Sequence, residues 1–190
     1  MGRLKHRTMP GFSYFVTTKT WQSRAVFQVG QNAEILVQAL LQYRDAGAYS
    51  LHEFVVMPNH LHLLLTPAND MSLERGMQLV KGGSSHSIHQ QAGYKVQIWQ
   101  PGFHEESIRN VVDFLEKSKY IHNNPVHARL VESPEDWAYG SASKRFRMDE
   151  PPNRLKGHSS GAEAPQARGG GMSELKLRPP KMQTPGGARC

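Results

Sequence analysis

Two short motifs in this chain carry residue types that can do chemistry together. The first is His60-Leu61-His62, at the head of an apolar run reading HLHLLLT. In a β-strand successive side chains point to opposite faces, so His60 and His62 share one face, about 6–7 Å apart, while Leu61, Leu63 and Leu65 share the other. Two imidazoles so placed can converge on one divalent metal ion or grip one phosphate. The second is Tyr120-x-x-x-Asn124, two residues on one side of a helix. A phenol is a poor nucleophile at neutral pH because its pKa is about 10; it becomes useful when the phosphate it attacks is polarised by a Lewis acid. Two histidines and an amide oxygen make three neutral ligands. Mg²⁺ prefers oxygen, and the imidazoles admit Mn²⁺ as well. Each motif alone also has a plainer reading, as histidines on a solvated sheet face and as a surface tyrosine.

The elements that must position these groups follow from local pattern. Phe12 to Thr20 is aromatic and β-branched and reads as a first strand. Gln31 to Tyr43 spaces Ile35, Leu36, Ala39, Leu40 and Tyr43 for one helical face, with Gly47 ending it. Tyr49 to Met57 and His60 to Thr66 are two strands joined through Pro58-Asn59, hence an antiparallel pair. A second helix is expected over Leu73 to Gln91, bent at Gly82-Gly83. A short fourth strand is expected at Tyr94 to Trp99, then a turn through His104. The third helix is expected over Ser107 to Asn123, with apolar positions Ile108, Val111, Val112 and Leu115 and Pro125 as its stop. At about 100° per residue, Tyr120 lies about 120° round from Ile108, off that stripe, with Asn124 about 40° further on.

The order βαββαβ followed by α predicts an α+β, ferredoxin-like antiparallel sheet with helices packed on one face, leaving the other for a site. From about residue 149 the composition changes. Residues 151–190 hold six Pro, seven Gly and no Phe, Trp or Tyr, too little apolar surface to offset ordering entropy. Residues 1–148 are therefore expected as the folded domain, and 149–190 as a flexible basic tail.

The net charge of +7 points to an anionic partner, with nucleic acid foremost. Residues 151–190 carry seven Lys and Arg against two Glu, so the first 150 residues are only mildly basic, at +2. Candidate DNA contacts are Arg3, Lys5 and Arg7 at the N-terminal tip, and Arg75 and Lys81 on the second helix. His104, His122 and His127 are expected as structural or solvated, and Trp99 and Trp137 as core. A single cysteine, Cys190, excludes an intrachain disulfide framework. No apolar run approaches the roughly 18 residues that span a bilayer, and no signal-peptide core is evident. A cytoplasmic protein with no membrane role is expected.

Three stretches match a family: Met57 to Leu65 (MPNHLHLLL), Ile98 to His104 (IWQPGFH) and Tyr120 to Val131 (YIHNNPVHARLV), closing with Pro134-Glu135-Asp136-Trp137. They resemble the REP-associated tyrosine transposases of the HUH single-strand transposase superfamily, from about Arg7 to Ala142. The resemblance implies a ferredoxin-like nuclease domain that nicks and joins single-stranded DNA at hairpin repeats, at the nucleoid of a bacterial cytoplasm. It makes His60 and His62 metal ligands for Mg²⁺ or Mn²⁺, Tyr120 the nucleophile that forms a 5′-phosphotyrosine link, and Asn124 a third ligand. His127 stands where that stretch leads one to expect an arginine. The family admits a monomer or a homodimer. Two rival readings remain at this stage: a hairpin-binding protein that does not cut, and a metal phosphoesterase using water in place of the tyrosine.

Overall fold

The computed structural model describes residues 8–93 and 95–156. Four strands form one antiparallel sheet: β1 (Tyr14–Lys19), β2 (Tyr49–Met57), β3 (His60–Pro67) and β4 (His104–Ser107), in the spatial order β2-β3-β1-β4. Helix α1 (Gly30–Asp45) connects β1 to β2, α2 (Leu73–Ala92) connects β3 to β4, and α3 (Val111–His127) follows the last strand. This is the expected α+β arrangement, and β2 has the bounds anticipated for it.

The alternation along β3 sorts its residues as expected. Leu61, Leu63 and Leu65 are buried with Val16, Leu51, Phe54 and Val56 against Leu36 and Leu40 of α1 and Met77 and Val80 of α2. Each fully buried leucine contributes about 1.5–3 kcal/mol, so this face holds the domain together. Helix α2 is continuous through Gly82-Gly83, where a bend was expected. The glycine at 83 serves close approach instead: a Cβ there would lie 2.5 Å from the Tyr43 hydroxyl of α1.

Further expectations are corrected. The fourth strand is His104–Ser107, pairing with β1 from Thr17↔His104 to Tyr14↔Ser107, whereas Trp99 makes only an isolated bridge to Thr20. Short apolar content suggested a strand near Trp99, but backbone pairing selected the polar HEES segment. Helix α3 begins at Val111 because the Asn110 side chain caps it, accepting from the Asp113 N–H at 2.9 Å. It runs through Pro125 to His127; a proline in the last turn removes one intrahelical bond only, and Pro125 is buried.

The buried face of α3 is Phe114, Ile121 and Pro125, while Val111, Val112 and Leu115 are 41%, 57% and 61% exposed. Two apolar stripes overlap on this helix, and only the packing partner decides between them. That partner is the second face of the sheet: Phe15, Val55, Met57 and Leu64 form a smaller core with Phe114 and Ile121. Helices thus lie on both faces, α1 and α2 on one and α3 on the other.

Finally, the packed chain continues past the boundary expected at residue 149. The Asp149 N–H donates to Leu51 O at 2.9 Å, its carboxylate accepts from the Leu51 N–H at 2.7 Å, and Leu155 is buried beside Phe15 and Phe114. Tyr139 O accepts from Val56 N, so this returning segment covers the outer edge of β2. The tail from residue 157 and the tip with Arg3, Lys5 and Arg7 lie outside the described residues. Among the described residues, no helix is long and apolar enough to cross a membrane.

Candidate active site

The second face of the sheet brings the two motifs together. His60 and His62 project from β3 with ring centroids 4.8 Å apart. Tyr120, on the flank of α3, stands edge-on to His62 at 5.3 Å, and Phe15 of β1 stacks on the same imidazole at 5.3 Å. Helix geometry explains the placement. With Ile121 pointing down into the small core, the preceding residue is turned about 100° to one side, over β3. Tyr120 remains 44% exposed, open to a substrate. Asn124, one turn on, makes a side-chain hydrogen bond with His60. All four residues come from one chain.

Both imidazoles are held by their Nδ1 atoms. That of His60 donates to Asn59 Oδ1 at 2.7 Å, and that of His62 bonds the Thr17 hydroxyl at 2.8 Å, from the residue directly opposite in the β1–β3 register. Occupied Nδ1 atoms orient the rings and make Nε2 the nitrogen that could bind a metal, with the Asn124 side chain beside it on His60. Burial pushes the His62 pKa down to about 3, with the charges of His60, Lys117 and Lys19 acting in the same sense. Burial, then Lys19, also lowers His60, against its hydrogen bond with Asn124, which raises it. Neutral imidazoles are the metal-binding form. No group of three His, Cys, Asp or Glu suited to a metal occurs among the described residues; the histidine pair with the Asn124 amide is a candidate set of three neutral donors. It fits a divalent ion that completes its shell with oxygen from elsewhere.

Two lysines flank this set. Lys19 lies opposite His60 in the strand register. Lys117, one turn before Tyr120, places its ammonium 4.6 Å from the centre of the Phe15 ring and 2.6 Å from Glu106 Oε2. On the far flank of α3, Glu53 of β2 bonds His122 Nε2 at 2.7 Å and Ser118 at 3.0 Å. Burial pushes the Glu53 carboxyl up, but hydrogen bonds from His122, Ser141 and Ser118 outweigh it and hold the group below its ordinary range. The same bond raises His122, against its burial.

Sequence reasoning missed Thr17, Lys19, Asn59, Lys117 and Glu53. Lys117 had a local signal, three residues from Tyr120 on a helix; Thr17 and Lys19 required the strand register. Arg75 and Lys81 lie on α2, across the sheet from the histidines. Arg75 bonds Gln78, and the Lys81 ammonium donates to Gln100 O at 2.7 Å and Gly102 O at 2.6 Å, tethering the loop before β4. Burial lowers the Lys81 pKa to about 8. Trp99 and Trp137 are packed as expected, their indole N–H groups donating to Ser84 and to Val56 O.

Residues 12–124 match the family model described as transposase, IS200-like. The chain belongs to this transposase family. The matched span includes both histidines, Tyr120 and Asn124. The transposase is similar to the REP-associated tyrosine transposase of Escherichia coli strain K12, 27% identical over 142 residues, which cover 74% of this chain and 82% of that one. A solved REP-associated tyrosine transposase bound to a REP hairpin superposes with a TM-score of 0.65 at 26% identity, covering 76% of this chain and 84% of its own.

Proposed function

We propose that this transposase nicks and rejoins single-stranded DNA at hairpin-bearing repeats, with Tyr120 as the nucleophile. The observation that carries the reading is the meeting of Tyr120 with the His60–His62 pair, at 5.3 Å from His62 and from 58 residues away in the chain. The substrate class is supported by the similar protein solved with a REP hairpin.

In the nicking step the Tyr120 oxygen attacks the scissile phosphorus and the bond from phosphorus to the 3′-oxygen breaks. A 5′-phosphotyrosine and a free 3′-hydroxyl result, the phenolic proton passing overall to the departing oxygen. Attack by a 3′-hydroxyl in the reverse sense restores the phosphodiester and the phenol. One ester replaces another at each step, so rejoining needs no nucleotide cofactor. His60, His62 and Asn124 would hold Mg²⁺ or Mn²⁺, which supplies Lewis-acid polarisation of the phosphate. Because these three ligands are neutral, the anionic phosphate is the natural counter-charge. Thr17 and Asn59 keep the imidazoles aimed, and Lys19 and Lys117 favour the approach of a DNA backbone.

The test incubates the full chain with a labelled single-stranded hairpin and Mn²⁺ or Mg²⁺ and looks for a covalent adduct on a denaturing gel. The wild type forms it and Tyr120→Phe does not. Hairpin binding without any adduct from the wild type would establish a pure binder; cleavage that survives Tyr120→Phe would establish a water-using phosphoesterase.

A further inference from the structure

The flank of α3 opposite Tyr120 is held by a single carboxylate. A bulge in β2 between Leu51 and Glu53 interrupts the regular pairing with β3, and Glu53 emerges from it with its side chain only 18% exposed. Its Oε1 accepts from Ser118 at 3.0 Å, and its Oε2 accepts from His122 at 2.7 Å and from Ser141 at 2.5 Å. The Ser141 hydroxyl, in the turn Ser141–Ser143, also accepts from the Phe54 N–H at 3.2 Å, which ties the carboxylate back to β2.

Ser118 and His122 are two residues before and two after Tyr120. At about 100° per residue, each lies about 200° from it round the helix, and the two lie about 40° from each other. The carboxylate therefore grips one narrow strip of α3, and Tyr120 occupies the strip across from it. Between them the helix rests on Phe114, Ile121 and Pro125. Apolar contacts of this kind are non-directional and tolerate rotation of a helix about its axis; hydrogen bonds to a fixed carboxylate do not.

A rotation of α3 about its axis in either direction would carry Tyr120 off His62 and Asn124 off His60. We propose that Glu53 is a positioning residue for the nucleophile: by holding Ser118 and His122 it sets the rotation of α3 that turns Tyr120 toward the histidine pair. The role of Tyr120 rests on the function proposed above, whereas the placement of its ring does not.

The experiment uses the full chain as wild type, Glu53→Gln and Ser118→Ala. Proton NMR of the metal-free protein reads the cross-relaxation between the ring protons of Tyr120 and His62, and single-turnover assays read the adduct rate and hairpin Kd separately. In Glu53→Gln the Tyr120–His62 cross-peaks weaken and the adduct rate falls about 10–100-fold, as for a misplaced reacting group, while hairpin Kd stays within about twofold. Ser118→Ala loses one bond and slows the reaction about fivefold.

Unchanged cross-peaks with an adduct rate within about twofold of wild type in folded Glu53→Gln would overturn the proposal, and so would a rate loss matched by an equal loss of hairpin affinity. If Glu53→Gln does not fold, Ser118→Ala, which keeps the Glu53–His122 pair, decides by the same two readouts. If the wild type forms no adduct, the proposed function fails, and the cross-peaks still decide whether Glu53 places the ring.

Discussion

On one face of β3, Leu61, Leu63 and Leu65 are packed by α1 and α2 into an apolar core; on the other, His60 and His62 meet a single helix, each ring fixed by named partners. The two sets alternate residue by residue along eight residues of chain. The leucine face obtains its energy from area, and any apolar side chain of similar volume and shape serves it. The histidine face has a small core, Phe15, Val55, Met57, Leu64, Phe114 and Ile121 among it, and places its polar groups through directional bonds. Under the proposed function, one strand sets the larger core on one side of its pleat and the reacting groups, beside a smaller core, on the other. Substitutions on one face should change how much protein is folded; substitutions on the other should change what the folded protein does.

Four experiments can break that division or sharpen it. The largest contrast is His60→Ala against Leu63→Ala. Removing His60, a ligand under the proposed function, should slow adduct formation about a thousandfold or more while shifting the urea midpoint little. Leu63→Ala should cost about 2–5 kcal/mol of stability with the adduct rate per folded molecule unchanged. The reverse pattern would show that the faces do not divide the work.

Thr17→Val comes next. It keeps the shape and removes the group that orients His62, so the Mn²⁺ concentration needed for adduct formation should rise about 10–100-fold. An unaltered Mn²⁺ titration would leave Thr17 without an orienting role.

The third contrast is in pH, in the metal-free protein. Unfolded chains take up a proton on an ordinary imidazole below about pH 6.5, whereas the folded protein keeps His62 neutral down to about pH 3. Stability should therefore fall as the pH drops through this window. Urea unfolding of the wild type between pH 7.5 and 5 should lose about 2 kcal/mol more than His62→Gln loses. Equal losses would mean that the folded imidazole takes up protons as an unfolded one does.

The smallest effect belongs to the leucine face. Gly83→Ala gains up to about 1 kcal/mol of helix propensity but drives a methyl group toward the Tyr43 hydroxyl, at a cost of about 1–3 kcal/mol. A lower melting temperature is expected, with the loss relieved in Tyr43→Phe. Equal melting changes in both backgrounds would remove the close approach as the reason for glycine.

Much of this division was legible in the residue pattern. The bounds of β2, the start of β3, the sharing of one face by His60 and His62, and the position of Tyr120 off the helix's packing stripe all follow from period and local propensity. The stripe itself did not: Val111, Val112 and Leu115 satisfy helical spacing, but packing selected Phe114, Ile121 and Pro125. The fourth strand was placed too early because HEES has little strand propensity and is defined by its pairing to β1. Glu53 looked like an ordinary strand charge, since its partners are 65, 69 and 88 residues away. Local rules read the elements, and contacts distant in the chain decide which faces meet.

The segment returning along β2 has a consequence for how copies of the protein can associate. A sheet grows without limit only if both of its margins accept another strand. Here Tyr139 and Asp149 occupy backbone positions of β2, while β4, on the other side, pairs only with β1 among the described residues. A second copy that added to this sheet would therefore have to do so at β4, and joining two copies there would end at a closed pair that could not continue into a fibre.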